Sequence, residues 1–166
     1  MDIISHTLNW CKGEIFEGKM SLIFGVCILL ISMAYFKWAS TPGARAMFIP
    51  LLTIALLAIG AGIYLVNTNQ KRMPRYEIQF KENPQQFIKS EKKRTAAFIK
   101  WYPITQKLFF TIMILGMLCM LLSNAPNIRA IGIALMLLSV YVFVLDHFSE
   151  ERATFYYSKI VELSPN

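Results

Sequence analysis

Four long stretches of this chain carry no charged residue, and that limits what it can fold into. Seventeen uncharged residues lie between Lys19 and Lys37 and twenty-five between Arg45 and Lys71. Twenty-one lie between Lys107 and Arg129 and sixteen between Arg129 and Asp146. A helix crosses the hydrocarbon core with about 20 apolar residues, within a range of roughly 17–25. The second and third stretches meet that length. The first and fourth reach it when Lys37 and Arg129 snorkel outward. Lipid offers the backbone no hydrogen-bond partners, so each stretch must be helical.

Composition agrees. Hydrophobic residues make up 55% of the chain and charged residues 16%, against roughly a quarter charged in water-soluble domains. The expected fold class is all-α: a polytopic membrane protein with four transmembrane helices as two hairpins, plus short amphipathic cytoplasmic helices. The 166 residues form one integral membrane domain. It divides into an interfacial helix at 1–19, spans at 20–38, 46–67, 104–123 and 127–146, a basic loop with an amphipathic helix at 68–103, and a helical tail at 147–166.

The net charge of +7 is concentrated rather than spread. The segment from Lys71 to Lys107 holds ten basic residues and only the acids Glu77, Glu82 and Glu91. Between the first and second stretches, and between the third and fourth, the basic residues are Lys37, Arg45 and Arg129. The positive-inside rule accounts for this without nucleic acid as a partner. It places both termini and the central loop in the cytoplasm and both hairpin tips outside. Small loops and compact size fit a bacterial inner membrane protein. The first nineteen residues lack an early basic cluster and carry Glu14 and Glu17, so the first span is expected to remain as a signal anchor. Cys11, Cys27 and Cys119 are odd in number and form no CxxC pair, which speaks against a disulfide framework or a cysteine zinc site.

A short pattern occurs twice. Pro42-Gly43-Ala44-Arg45-Ala46 and Pro126-Asn127-Ile128-Arg129-Ala130 each sit at an outer tip. Proline suits the first turn of a helix, where its missing N–H costs nothing, and Thr41 suits the N-cap before Pro42. Arg45 and Arg129 then lie one turn into the return helix, in reach of head-group phosphates or a neighbouring carbonyl. An internal duplication with an offset of 84 residues would explain the pattern; apolar composition explains the remaining identities equally well.

The cytoplasmic pieces carry the rest of the polar residues. Asn83, Pro84 and Gln86 read as N-cap, N1 and the N3 partner of a capping box. The helix that follows places Phe87, Ile88, Ala97, Phe98, Ile99, Trp101 and Tyr102 toward lipid, and Lys89, Lys92, Lys93 and Arg94 toward water or anionic head groups; a solvated linker that serves as the topology signal fits the segment equally well. Glu91 and Thr95 interrupt that stripe. Near the N-terminus, Ile4, Leu8, Cys11 and Ile15 fall at helical spacing, with Trp10 and Phe16 at the interface. On the tail, Asp146, His147, Glu150 and Glu151 are the candidate metal ligands, paired at i,i+4. Ala58 with Gly62, and Ala130 with Ala134, are candidate helix-packing pairs.

Catalytic chemistry is absent from the sequence. There is no P-loop, HExxH, GxSxG or haem-attachment motif, and no charged residue inside a span. No enzyme activity and no cofactor are expected. The expected function is non-enzymatic: helix–helix interaction with another membrane protein, as an accessory subunit or an immunity-type inhibitor. The alternative is a homo-oligomeric channel or small transporter, with Ser32, Thr53, Thr111 and Ser139 as candidate polar lining.

Overall fold

The computed structural model describes residues 3–163, and among these it is helical apart from short turns. The elements are α1 (Ile3–Trp38), α2 (Pro42–Ala46), α3 (Phe48–Glu82), α4 (Pro84–Ile99), α5 (Tyr102–Leu122) and α6 (Pro126–Leu163). Four helical stretches are long and apolar enough to cross a membrane, which marks an integral membrane protein.

Three helices are longer than a span. At about 1.5 Å per residue, the 36, 35 and 38 residues of α1, α3 and α6 run about 54, 52 and 57 Å, against about 30 Å of hydrocarbon. The N-terminal end of α1 and the C-terminal ends of α3 and α6 gather together with α4. A second, polar layer therefore sits beneath the apolar one. No helix break accompanies the expected boundary near residue 19: α1 contains no proline and its buried face continues across it. The expected loop at 68–83 is likewise helix: α3 runs through Pro74 to Glu82, with Asn69 and Tyr76 buried. A real break falls between α4 and α5. Pro103 cannot bond back to the carbonyl of Ile99, so Lys100 and Trp101 form a turn and α5 restarts at Tyr102.

The spans pack through small and hydroxyl residues. Gly62 lies so near α1 that a Cβ there would stand 2.6 Å from the Gly18 carbonyl oxygen. On the other pair, a Cβ at Gly132 would stand 2.5 Å from the carbonyl oxygen of Gly116. Ser21 donates to the Ala58 carbonyl (2.7 Å) and pairs with the Tyr141 hydroxyl, tying α1 to both α3 and α6. Ala58 and Gly62 are buried against α1, and Ala134 joins Ile28, Leu51, Ile54 and Ala55. Ala130 is buried as well. Contacts run in opposite directions along α1 and α3, and along α5 and α6. Among the described residues α5 packs chiefly along α6, whereas α6 also touches α1 and α3.

Both Pro-x-x-Arg-Ala turns are built alike. Arg45 Nε donates to the carbonyl of Ala39 (3.2 Å), and Arg129 Nε to that of Ser123 (2.8 Å), six residues back in each case. The hydroxyls of Thr41 and Ser123 accept from the N–H groups of Ala44 and Ala125. Each arginine covers the frayed end of the outgoing helix with a charge-assisted bond. Asn83 caps two helices at once. Its N–H donates to Gln79 of α3, and its Oδ1 accepts from the N–H of Gln86 on α4. Since that N–H is used, the Gln86 side chain bonds Asn83 Nδ2 instead of closing the expected capping box.

Gly132→Leu is expected to destabilise the protein by about 1–3 kcal/mol through overpacking against Gly116. A Cβ at Gly60 meets nothing, so Gly60→Leu should cost no stability. Thermal unfolding in a mild detergent distinguishes the two.

Candidate functional site

The row of residues that α1 turns inward explains the site. It reads Thr7, Trp10, Cys11, Glu14, Glu17, Gly18, Ser21, Gly25, Ile28 and Ser32, one or two residues to each turn at a spacing of three to four. Above Gly18 these residues are mostly small and allow close helix packing. Below it they are polar or large and meet charged partners from α4 and α6.

The lower group centres on Glu91 of α4. Arg94, one turn on, donates through Nε to Oε1 (2.9 Å) and through Nη2 to Oε2 (2.6 Å). The Tyr156 hydroxyl of α6 donates to Glu91 Oε2 (3.1 Å) and lies 2.8 Å from the Thr7 hydroxyl. The Arg94 guanidinium stands over the Trp10 ring at 4.7 Å and near Tyr76 at 5.8 Å, while Trp10 stacks on Tyr156. Glu91 is 4% exposed, so its charge is tolerated only because Arg94 and Tyr156 meet it. These bonds raise the Arg94 pKa further, chiefly through Glu91, against the opposing effect of burial. Burial pushes the Cys11 thiol up to about 12, which makes it inert as a nucleophile.

This corrects three expectations. Phe87, Glu91 and Thr95 form the buried face of α4, so the residues that seemed to interrupt the stripe belong to it. Arg94 turns inward rather than toward head groups, because a buried carboxylate one turn earlier claims it. Lys89 and Lys93 remain exposed and Lys92 is half-buried. Trp10, expected at the interface, is buried.

The upper group lies where the spans meet the polar layer. Arg152 Nη2 contacts Glu17 Oε1 at 2.5 Å and Glu14 Oε1 at 3.4 Å. Ser149 donates to Glu14 (3.3 Å), so the Tyr102 hydroxyl donates in turn to Ser149 (2.8 Å). A cavity of about 230 Å³ opens beside them, lined by Glu14, Glu17, Asp146, Ser149, Thr105, Leu65, Leu145, Phe98, Trp101 and Tyr102. Burial raises the pKa of Glu14 and lifts Glu17 to about 7, with Arg152 opposing and Glu14 and Asp146 adding to the shift of Glu17.

The expected metal ligands separate around α6. Asp146 faces this cavity, and Glu150 accepts from Gln106 Nε2 (2.7 Å). His147 is exposed with its ring edge against Phe148, and Glu151 lines a different cavity with His6. Among the described residues no three His, Cys, Asp or Glu side chains are arranged to hold a metal ion. Arg45 and Arg129 are exposed at the turns, each bonded to a backbone carbonyl. The candidate lining hydroxyls of Ser32, Thr53, Thr111 and Ser139 each donate to a backbone carbonyl, and Thr53 and Thr111 are exposed. Sequence reasoning missed Glu14, Glu17 and Glu91 as partners of Arg152 and Arg94. The signal was present in α1: the small-residue row at Ser21 and Gly25 continues downward into Glu17 and Glu14 at the same spacing. No protein-family model, no curated protein and no solved structure matches the chain.

Glu91→Ala is expected to lower stability by about 2–3 kcal/mol; removing one partner of a fully buried pair costs about 3–5 kcal/mol, and Arg94 is partly exposed. The double variant Glu91→Ala/Arg94→Met should recover part of that loss, as read by thermal unfolding. The pH dependence has a definite sign. Glu17 titrates near 4.5 when unfolded and near 7 when folded, so its contribution is complete below 4.5 and is lost as pH rises through 7. At roughly 1.36 kcal/mol per unit the window spans up to about 3 kcal/mol. The unfolding midpoint should fall between pH 5 and 8, and Glu17→Gln should flatten that slope.

Proposed function

We propose that this is a non-enzymatic integral membrane protein that works by helix–helix interaction with another membrane protein, as an accessory subunit or an immunity-type inhibitor. In this reading both termini and α4 lie in the cytoplasm of a bacterial cell, the turns at Arg45 and Arg129 lie outside, and the exposed Lys89 and Lys93 meet anionic head groups.

The observation that carries the reading is the isolation of α5. Among the described residues it rests chiefly on α6, and its outer face of Leu108, Phe110, Leu115, Leu118 and Leu121 is open. Small residues at the Gly116–Gly132 crossing leave that face free of any role in the protein's own packing. The Glu91–Arg94–Tyr156 group below is bonded within itself, which suits a rigid support better than a catalyst. A second reading, a small transporter, is favoured by the acidic cavity at the base of α5. The bonded hydroxyls within the spans speak against a wide aqueous pore.

A photo-crosslinking residue at Leu115 or Leu118, introduced in the native host, should capture one protein species of reproducible size. Adducts to lipid alone at both positions, with a monomeric purified chain, would overturn the reading. Reconstituted protein is expected to show no ion conductance over a range of potentials; steady conductance would favour the transporter.

A further inference from the structure

The cavity at the base of α5 has an unusual balance of groups. Three carboxylates, Glu14, Glu17 and Asp146, line it, and among the described residues Arg152 is the one cation in ion-pair contact with them. Glu17 is 6% exposed. Its Oε1 is held by the Arg152 guanidinium at 2.5 Å, the same cation that Glu14 contacts at 3.4 Å. Asp146 Oδ2 is buried without a partner. The nearby hydroxyls do not supply this atom, because Tyr102 donates to Ser149 and Ser149 to Glu14. Above the pKa of Glu17 the walls therefore hold three carboxylates against one guanidinium, and Asp146 Oδ2 is left as an unmet acceptor. A buried acceptor left unmet costs about 1–3 kcal/mol, and more for a charged group.

The rest of the lining specifies the kind of cation. Phe98, Trp101 and Tyr102 are aromatic, and an aromatic face attracts a weakly hydrated cation. A hydrated inorganic ion would lose its water against these rings, and no three acidic, histidine or cysteine side chains are arranged to replace it. The volume of about 230 Å³ is below the roughly 300–1,000 Å³ of drug-sized sites and suits a head group with one small apolar body. Trp101 is 64% exposed at the turn between α4 and α5, where a basic polar layer meets an apolar span. Amphiphilic amines concentrate at such a level.

We propose that the cavity between Glu17, Asp146 and Trp101 binds an organic cation, an ammonium group carrying a small apolar body. The ammonium sits between the two carboxylates, with the apolar body against Trp101 and Phe98. The site stands independently of any protein partner. The cation is supplied either by a lipid amine head group or by a free amphiphilic amine.

The test is calorimetric titration of the full chain in an uncharged maltoside detergent with benzyltrimethylammonium, with benzoate as the anionic control. Saturable binding of the cation and none of benzoate is expected. Asp146→Asn and Trp101→Ala leave the Glu14, Ser149 and Arg152 contacts in place, and each should weaken binding at least about tenfold. Glu17 is faced by Glu14, by Arg152 and Asp146 of α6, and by Tyr102 of α5, while Arg72 of α3 acts on Glu14. Since burial lifts Glu17 to about 7, affinity should fall about tenfold from pH 8 to pH 6. In nanodiscs of equal phosphatidylglycerol content filled with either phosphatidylethanolamine or an uncharged glycolipid, the probe should bind more weakly with phosphatidylethanolamine if the lipid amine is the occupant, and equally if a free amine is. Absence of saturable binding, equal binding of benzoate, or binding unchanged in both Asp146→Asn and Trp101→Ala would overturn the proposal.

Discussion

Lipid solvates a leucine about as well as another leucine does, so burial of apolar side chains cannot hold four spans together. What remains is close backbone approach and hydrogen bonding, and the chain uses both. Gly18 meets Gly62, Gly116 meets Gly132, and Ser21 and Ser32 bond carbonyls across helices. Large apolar residues such as Leu30, Leu56 and Leu121 point outward. In the apolar layer the usual inside–outside order of a water-soluble protein is largely reversed.

Below the apolar layer the same helices continue into a different solvent, and the same inward row changes chemistry. Thr7, Glu14 and Glu17 occupy on α1 the places that Ser21, Gly25 and Ser32 occupy higher up. Charges can be buried there because α4 and α6 bring Arg94 and Arg152 to meet them. The two arginines do different work. Arg94 is matched by one carboxylate and two aromatic faces, so its group is closed and structural. Arg152 is shared between two carboxylates, with a third nearby, so its group is left electrically incomplete beside an open cavity. The break at Pro103 produces that opening, since α5 restarts at a turn instead of continuing α4.

The long apolar helices and the repeated turn were legible in the sequence because each depends on a local pattern, absence of charge or proline before arginine; the glycine crossings at Gly18, Gly116 and Gly132 were not, because they depend on which helices meet. Helix ends were legible only where a proline or a cap marked them, as at Pro84 and Pro126. The continuity of α1 through residue 19 was not, because the apolar-to-polar change suggested an end where the backbone has none. Glu91 and Arg94 were misplaced for a related reason. A search for an apolar stripe assigns charged residues outward, whereas here a partner from α6, Tyr156, and an aromatic bed from α1 make an inward charge stable. Such partners lie 65 or more positions away in the chain, and no local period reveals them.

The whole arrangement depends on a bilayer separating the turn at Pro42 from the polar layer at α4. In a background lacking Cys27 and Cys119, with Cys11 fully buried, single cysteines at Gly43 and Ser90 can be probed with a membrane-impermeant maleimide. Gly43→Cys should label in intact cells, and Ser90→Cys only after the membrane is opened. Labelling of both from the same side would contradict the account.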